Sequence, residues 1–168
     1  LEVVWSFRGQ RKVEAVYFVD ESGDPKIDWP NMVRYSDDSF PLYLAGKGNS
    51  EGEFRVLARR RSGDEDGSGK VASVVLIGPK AEYPGEIGAS SPGVAVGPDS
   101  RVARVLAAAF EQLERNEGAY GSKAFELDPK GMIRVRVLLT RERGEQRTFR
   151  IREVIACHWY DIDDLGVG

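Results

Sequence analysis

The residues of this 168-residue chain best placed for chemistry are Asp20, Glu21 and Asp24, in the stretch Val16 to Pro25. A β-prone apolar run, Val16-Tyr17-Phe18-Val19, ends on a carboxylate and gives way at once to Glu21-Ser22-Gly23-Asp24-Pro25. A strand that carries Asp20 and Glu21 to the edge of a sheet, with Gly23 and Asp24 turning the chain away, offers oxygen ligands for a hard cation. The same residues end strands for conformational reasons alone, because Asp, Ser, Gly and Pro are turn formers. Both readings stand at this level.

The segment Tyr17 to Pro25 resembles the opening of a family of bacterial and phage proteins with an RNase H-like fold, in which a strand ending in Asp-Glu-Ser-Gly starts the domain. Phe40-Pro41-Leu42-Tyr43-Leu44-Ala45-Gly46 is similar to the apolar strand that follows that signature. The resemblance covers the first third of the chain. It implies a metal-dependent nuclease-type site with Mg²⁺ or Mn²⁺ as cofactor, Asp20 as the leading ligand and Glu21 beside it. Two-metal hydrolysis needs several converging carboxylates; Asp24, Asp161, Asp163 and Asp164, with Glu111 or Glu114, are the available partners. The later chain departs from the family pattern, since four or five strands precede the first helix and a hairpin follows it.

Other constellations fall away on their own chemistry. Gly63 to Lys70 lacks the glycine and the Ser/Thr of a phosphate loop, and Val75 stands where a calcium loop needs its closing glutamate. His158 is the only histidine and Cys157 the only cysteine. Neighbours on a strand point to opposite faces, so this pair suits neither zinc nor Cys–His catalysis, and a packed His158 is expected.

Arginine is the second theme. Arg134 and Arg136 alternate with apolar residues along one run, and Arg150 and Arg152 along the next, so all four can share one face of a hairpin. Like charges on paired strands repel, and such a face needs an acidic partner. Glu111, Glu114, Glu117, Glu142 and Glu145 are intramolecular choices; nucleic-acid phosphate or an acidic protein is the external one.

The elements that must position these groups are legible from pattern. Val3 to Phe7 with Val13 to Val19, Phe54 to Arg59 with Val71 to Ile77, and Ile133 to Thr140 with Thr148 to Trp159 read as three hairpins. Glu153-Val154-Ile155 breaks the last alternation and marks a bulge or a doubly buried stretch. Phe40 to Ala45 reads as a short strand, and Glu21 to Ser39 and Gly78 to Asp99 as long loops. Val102, Val105, Leu106, Ala109, Phe110 and Leu113 form one helical stripe, capped by Asp99 or Ser100 and stopped near Gly118. The sum is one α+β domain over 1–168: a curved, mainly antiparallel sheet of about seven strands with one long amphipathic helix packed on it.

Composition agrees with a folded soluble chain, at 41% hydrophobic and 30% charged residues with a net charge of −3. No apolar run reaches membrane-spanning length, no secretory signal opens the chain, and a single cysteine fits a reducing compartment, so a cytoplasmic location is expected. Two functions remain in view. One is a divergent metal-dependent nuclease-like protein acting on nucleic acid. The other is a non-enzymatic binding or assembly module, of the phage- or defence-associated accessory kind, that uses the arginine-bearing hairpin face.

Overall fold

The computed structural model describes residues 1–7, 11–61, 71–80, 83, 85–142 and 147–167, without the side chains of 7 and 11–13. The tips of the three hairpins, including the acidic Asp64 to Asp66, and Glu145 therefore lie outside the described residues.

The larger sheet is built around β4 (Glu51–Arg60). On one side it pairs antiparallel with β8 (Met132–Glu142), Phe54 opposite Val137 and Val56 opposite Val135. On the other it pairs with β5 (Ser73–Pro79). Outside β5 lie β6 (Ile87–Ser90) and the two-residue β7 (Val94–Ala95), and β9 (Thr148–Ala156) closes the far side, next to β8. The register between β8 and β9 shifts twice, once opposite the Glu153 region where the alternation breaks. Such extra residues bend and twist a strand, which suits a curved sheet.

Helix α3 (Arg101–Glu114) fills the concave face. Ser100 caps it by accepting from the Ala103 amide at 3.0 Å, and Leu106, Ala109 and Phe110 bury against Phe54, Val56, Val74, Val135 and Val137. The expected stripe is thus the buried one. The helix stops before Gly118, because Asn116 takes the left-handed conformation at φ 62°; asparagine is the side-chain-bearing residue that best tolerates it.

A second sheet of β1 (Glu2–Phe7), β2 (Arg11–Val19) and β3 (Pro25–Ile27) packs on the opposite face of the large one. Three expectations are corrected here. Among the described residues the sheets hold nine strands, in keeping with the mainly antiparallel α+β sheet of about seven expected, but β3, β6 and β7 lie within stretches read as loops. A short helix, α1 (Trp29–Met32), also interrupts the first of those stretches. Phe40 to Ala45 is not a strand: α2 (Phe40–Leu44) is a helix. Pro41 sits in its first turn, where proline's fixed φ is helical and its missing N–H costs nothing. Phe40 and Tyr43, three apart, bury on one face against Phe54.

Candidate functional site

Asp20 stands at the turn between β2 and β3, and its carboxylate is occupied in making that turn. Oδ1 accepts from the Ser22 amide at 2.9 Å, the Ser22 hydroxyl at 2.5 Å and the Asp24 amide at 3.1 Å. Gly23 supplies the positive φ of 87°. The Ser22 hydroxyl first, then the Asp24 and Ser22 amides, hold the Asp20 carboxyl below its ordinary value. Lys26 lies 3.4 Å from Oδ2. Asp24 shares the Ser22 hydroxyl at 3.0 Å, and Glu21 is exposed on the turn.

The C-terminal acids have other neighbours. Asp161 takes its amide hydrogen bond to Asp28 at 2.8 Å and lies 3.4 Å from the Arg55 guanidinium. Asp163 is open to solvent, 4.0 Å from Arg136. Among the described residues no three His, Cys, Asp or Glu side chains gather to hold a metal ion. In the Asp20 turn Oδ1 is taken by three donors and Oδ2 faces a lysine, an arrangement that does not fit Mg²⁺ or Mn²⁺.

The four arginines do not form one exposed face. Arg134 is buried between the sheets, with Nη1 and Nη2 on Glu14 at 2.6 and 2.8 Å and Nε on Asp128 at 2.6 Å. Its guanidinium lies over the Trp159 ring at 4.5 Å, and Arg34, itself 3.2 Å from Glu14, lies over the same ring at 4.8 Å. Arg136 is buried too, donating to Glu53 at 3.1 Å and to the Tyr160 carbonyl at 3.0 Å. Beside it the buried Arg55 donates to the carbonyls of Trp159 at 3.0 Å and Tyr35 at 3.2 Å. This is a polar layer holding sheet to sheet, and its acids are Glu14, Asp128 and Glu53, not the helix glutamates expected.

Burial pushes the Glu14 carboxyl up, but the Arg134 hydrogen bonds and charge, helped by Arg34, bring it below its ordinary value. Asp128 shares Arg134 with Glu14, and there burial wins, so its carboxyl is raised. Glu14 also bonds Arg34 directly, while Asp128 feels the Glu14 charge as repulsion and Arg34 only at a distance.

Only Arg150 and Arg152 remain on the surface, paired at 2.7 Å with Glu142 and Glu51. Among the described acids proposed for the stripe, Glu142 is the one that serves it. His158 is buried, as expected, stacked near Tyr160 and Tyr120, with Nε2 2.9 Å from the Asp164 carbonyl oxygen. Burial pushes the neighbouring Cys157 thiol up to about 12, which keeps it protonated and unreactive.

The surface that the sequence reading missed is the outward face of the small sheet. Glu14 points inward to Arg134, and Glu2 points inward to Ser122 at 2.7 Å and to the Tyr160 hydroxyl. Alternation therefore turns Leu1, Val3, Trp5, Tyr17 and Val19 to the other side, where Ala15 is nonetheless covered, while Val4 and Phe18 on the Glu14 side are exposed beyond the covered part. The strand register sets Leu1 and Ile27 on either side of Tyr17, with Val19 next on the same face of β2, so these four form one apolar group; Val3 lies opposite the fully buried Ala15, which separates Trp5 from that group. Leu1 is 85% exposed, Val19 68%, Trp5 44% and Ile27 39%, and Trp29, next along the chain, is 60% exposed. The signal was present in the alternation of β1 and β2; which side faced out was set by Glu14, whose partner lies 120 residues away.

No protein-family model, curated protein or solved structure matches this chain. Among the described residues no helix is long and apolar enough to cross a membrane.

Proposed function

We propose that this protein is a non-enzymatic binding module whose partner is a protein docked on the outward face of the β1–β3 sheet. One observation carries the reading: that face presents Leu1, Val19 and Ile27 to solvent, grouped around Tyr17. Scattered apolar residues on a surface are ordinary, but a contiguous patch with aromatic side chains marks an interaction site. The polar layer beneath supports the same view, because Glu14, Arg134 and Asp128 hold the small sheet in a fixed pose from which its other side can be read. The nuclease-like alternative suggested by the N-terminal signature asks for converging carboxylates. It draws no support from Asp20, Asp24, Asp161 and Asp163, which are engaged with different partners.

The experiment is affinity capture from the source cell with the unmodified chain and with Val19→Lys, followed by titration of the purified captured protein against both. Val19 is exposed, so the substitution leaves the fold intact. A stoichiometric partner bound by the unmodified chain and lost by Val19→Lys is the expected result. Equal binding by both would reject the face as the docking site.

A further inference from the structure

A sheet edge is a row of amide N–H and carbonyl groups without partners, and soluble proteins guard it with lysine, proline, charge or brevity. Here β3 carries Pro25 and Lys26, β6 and β7 are short, and β9 carries Arg150, Arg152 and Glu153. β1 has none of these guards. Its one charge, Glu2, is turned inward to Ser122 and the Tyr160 hydroxyl.

The pairing with β2 decides which groups of β1 point away. Leu1 exchanges backbone hydrogen bonds with Tyr17 in both directions, at 2.8 and 2.9 Å. Bonded and non-bonded pairs alternate along an antiparallel ladder. The register therefore turns the amides and carbonyls of Val3 and Trp5 toward β2, and those of Glu2, Val4 and Ser6 away from it. Among the described residues nothing bonds to those outward groups. The body also stops short of this edge. Glu14 on β2 is 2% exposed, yet Val4, directly opposite it on β1, is 45% exposed, and Trp5 and Ser6 are exposed beside it.

We propose that β1 pairs with β1 of a second copy of this chain, antiparallel about a two-fold axis at Val4, joining two small sheets into one. The edge is self-complementary in that register. Val4 lies opposite Val4 of the second copy and Glu2 opposite its Ser6, so every outward amide and carbonyl from Glu2 to Ser6 gains a partner. Sliding the copy by two residues would leave the groups of Glu2 or of Ser6 without a counterpart within β1. The side chains agree. Val4 meets Val4 on the body side, and Trp5 packs beside Val3 of the second copy on the other, which covers both of the exposed apolar residues Val4 and Trp5. Glu2 faces a serine, so no like charges oppose each other. This symmetry selects a second copy over an unrelated strand. Val19 and Ile27 lie away from β1 and stay open, so the docking face proposed above and this interface stand or fall separately.

The test is sedimentation equilibrium of the purified full chain across the micromolar range, with no other protein present. The unmodified chain should sediment as a dimer. Val4→Pro removes an outward N–H without breaking a bond to β2, and Val4→Lys sets two like charges on the axis. Each should raise the dissociation constant about tenfold or more, with an unchanged circular-dichroism spectrum as the check on the fold. Val19→Lys, which alters the docking face, should dimerise like the unmodified chain. Mild oxidation reads the register: Val4→Cys should join two copies by a disulfide. Ser6→Cys should not, because the two copies of that position lie about 14 Å apart along the paired strands. Cys157 stays out of this reaction, its thiol pushed up to about 12 by burial. A monomeric unmodified chain, a dimer unweakened by both Val4 substitutions, loss of the dimer in Val19→Lys, or equal cross-linking from positions 4 and 6 would each overturn the proposal.

Discussion

Arg134 is surrounded on every side by groups that complement it: Glu14 and Asp128 in the plane of the guanidinium and Trp159 against its face. Removing one member of such a buried set leaves charges stranded, which costs far more than the set as a whole contributes. Arg134→Met should therefore lower stability by about 3–5 kcal/mol in urea titration. Adding Glu14→Leu should restore part of it, since the second change removes the stranded carboxylate. A double variant no more stable than the single one would show that Arg134 acts by packing on Trp159 instead.

At His158 the relevant quantity is a proton. Burial pushes its imidazole below the ordinary value, so the folded chain resists protonation at a pH where the unfolded chain accepts it. Stability contributed this way is present above about pH 6.5 and is lost as pH falls from there toward the depressed folded value. The melting temperature should drop between pH 7 and pH 5.5, and His158→Gln should flatten that slope whatever it does to absolute stability. A slope unchanged in the variant would place the titration elsewhere, and not on Asp128, whose raised carboxyl favours the folded chain as pH falls.

At the scale of elements, α3 is the strongest test of packing. Phe110 is buried against the large sheet and under the Arg60 guanidinium, at 4.8 Å. Phe110→Ala should cost about 3–5 kcal/mol by loss of transfer energy and a residual cavity. A loss below 1 kcal/mol would mean that the core collapses around the gap. Both this helix and the hairpins were legible because their apolar residues repeat with the period of the element over many residues. Phe40 to Leu44 was not, because so short a run fits either period, and the buried pair Phe40 and Tyr43 is recognisable only once Phe54 is seen behind it. β3 and β7 are short strands whose existence depends on the edges of β2 and β5, which no local pattern encodes. The arginine face failed as a reading for a related reason. Alternation correctly put Arg134 and Arg136 opposite the apolar set, but an alternating charged face is solvent-exposed only if nothing covers it, and here the small sheet does.

At the scale of the whole molecule, two apolar interfaces and one polar one divide the work. The helix and the concave face make the main core, the polar layer fixes the small sheet to the convex face, and the outer side of that small sheet is left apolar. Its exposure is what the proposed function explains. The account's central claim is tested most directly by contact at that face inside the source cell. Val19→benzoylphenylalanine places a photoreactive ketone at the β2 end of the apolar group, and Glu111→benzoylphenylalanine places one on the exposed side of α3 as a control. Irradiation should give one discrete cross-linked species from position 19 and none from position 111, with mass spectrometry identifying a protein joined at that site. No cross-link from position 19, or the same products from both positions, would contradict the account.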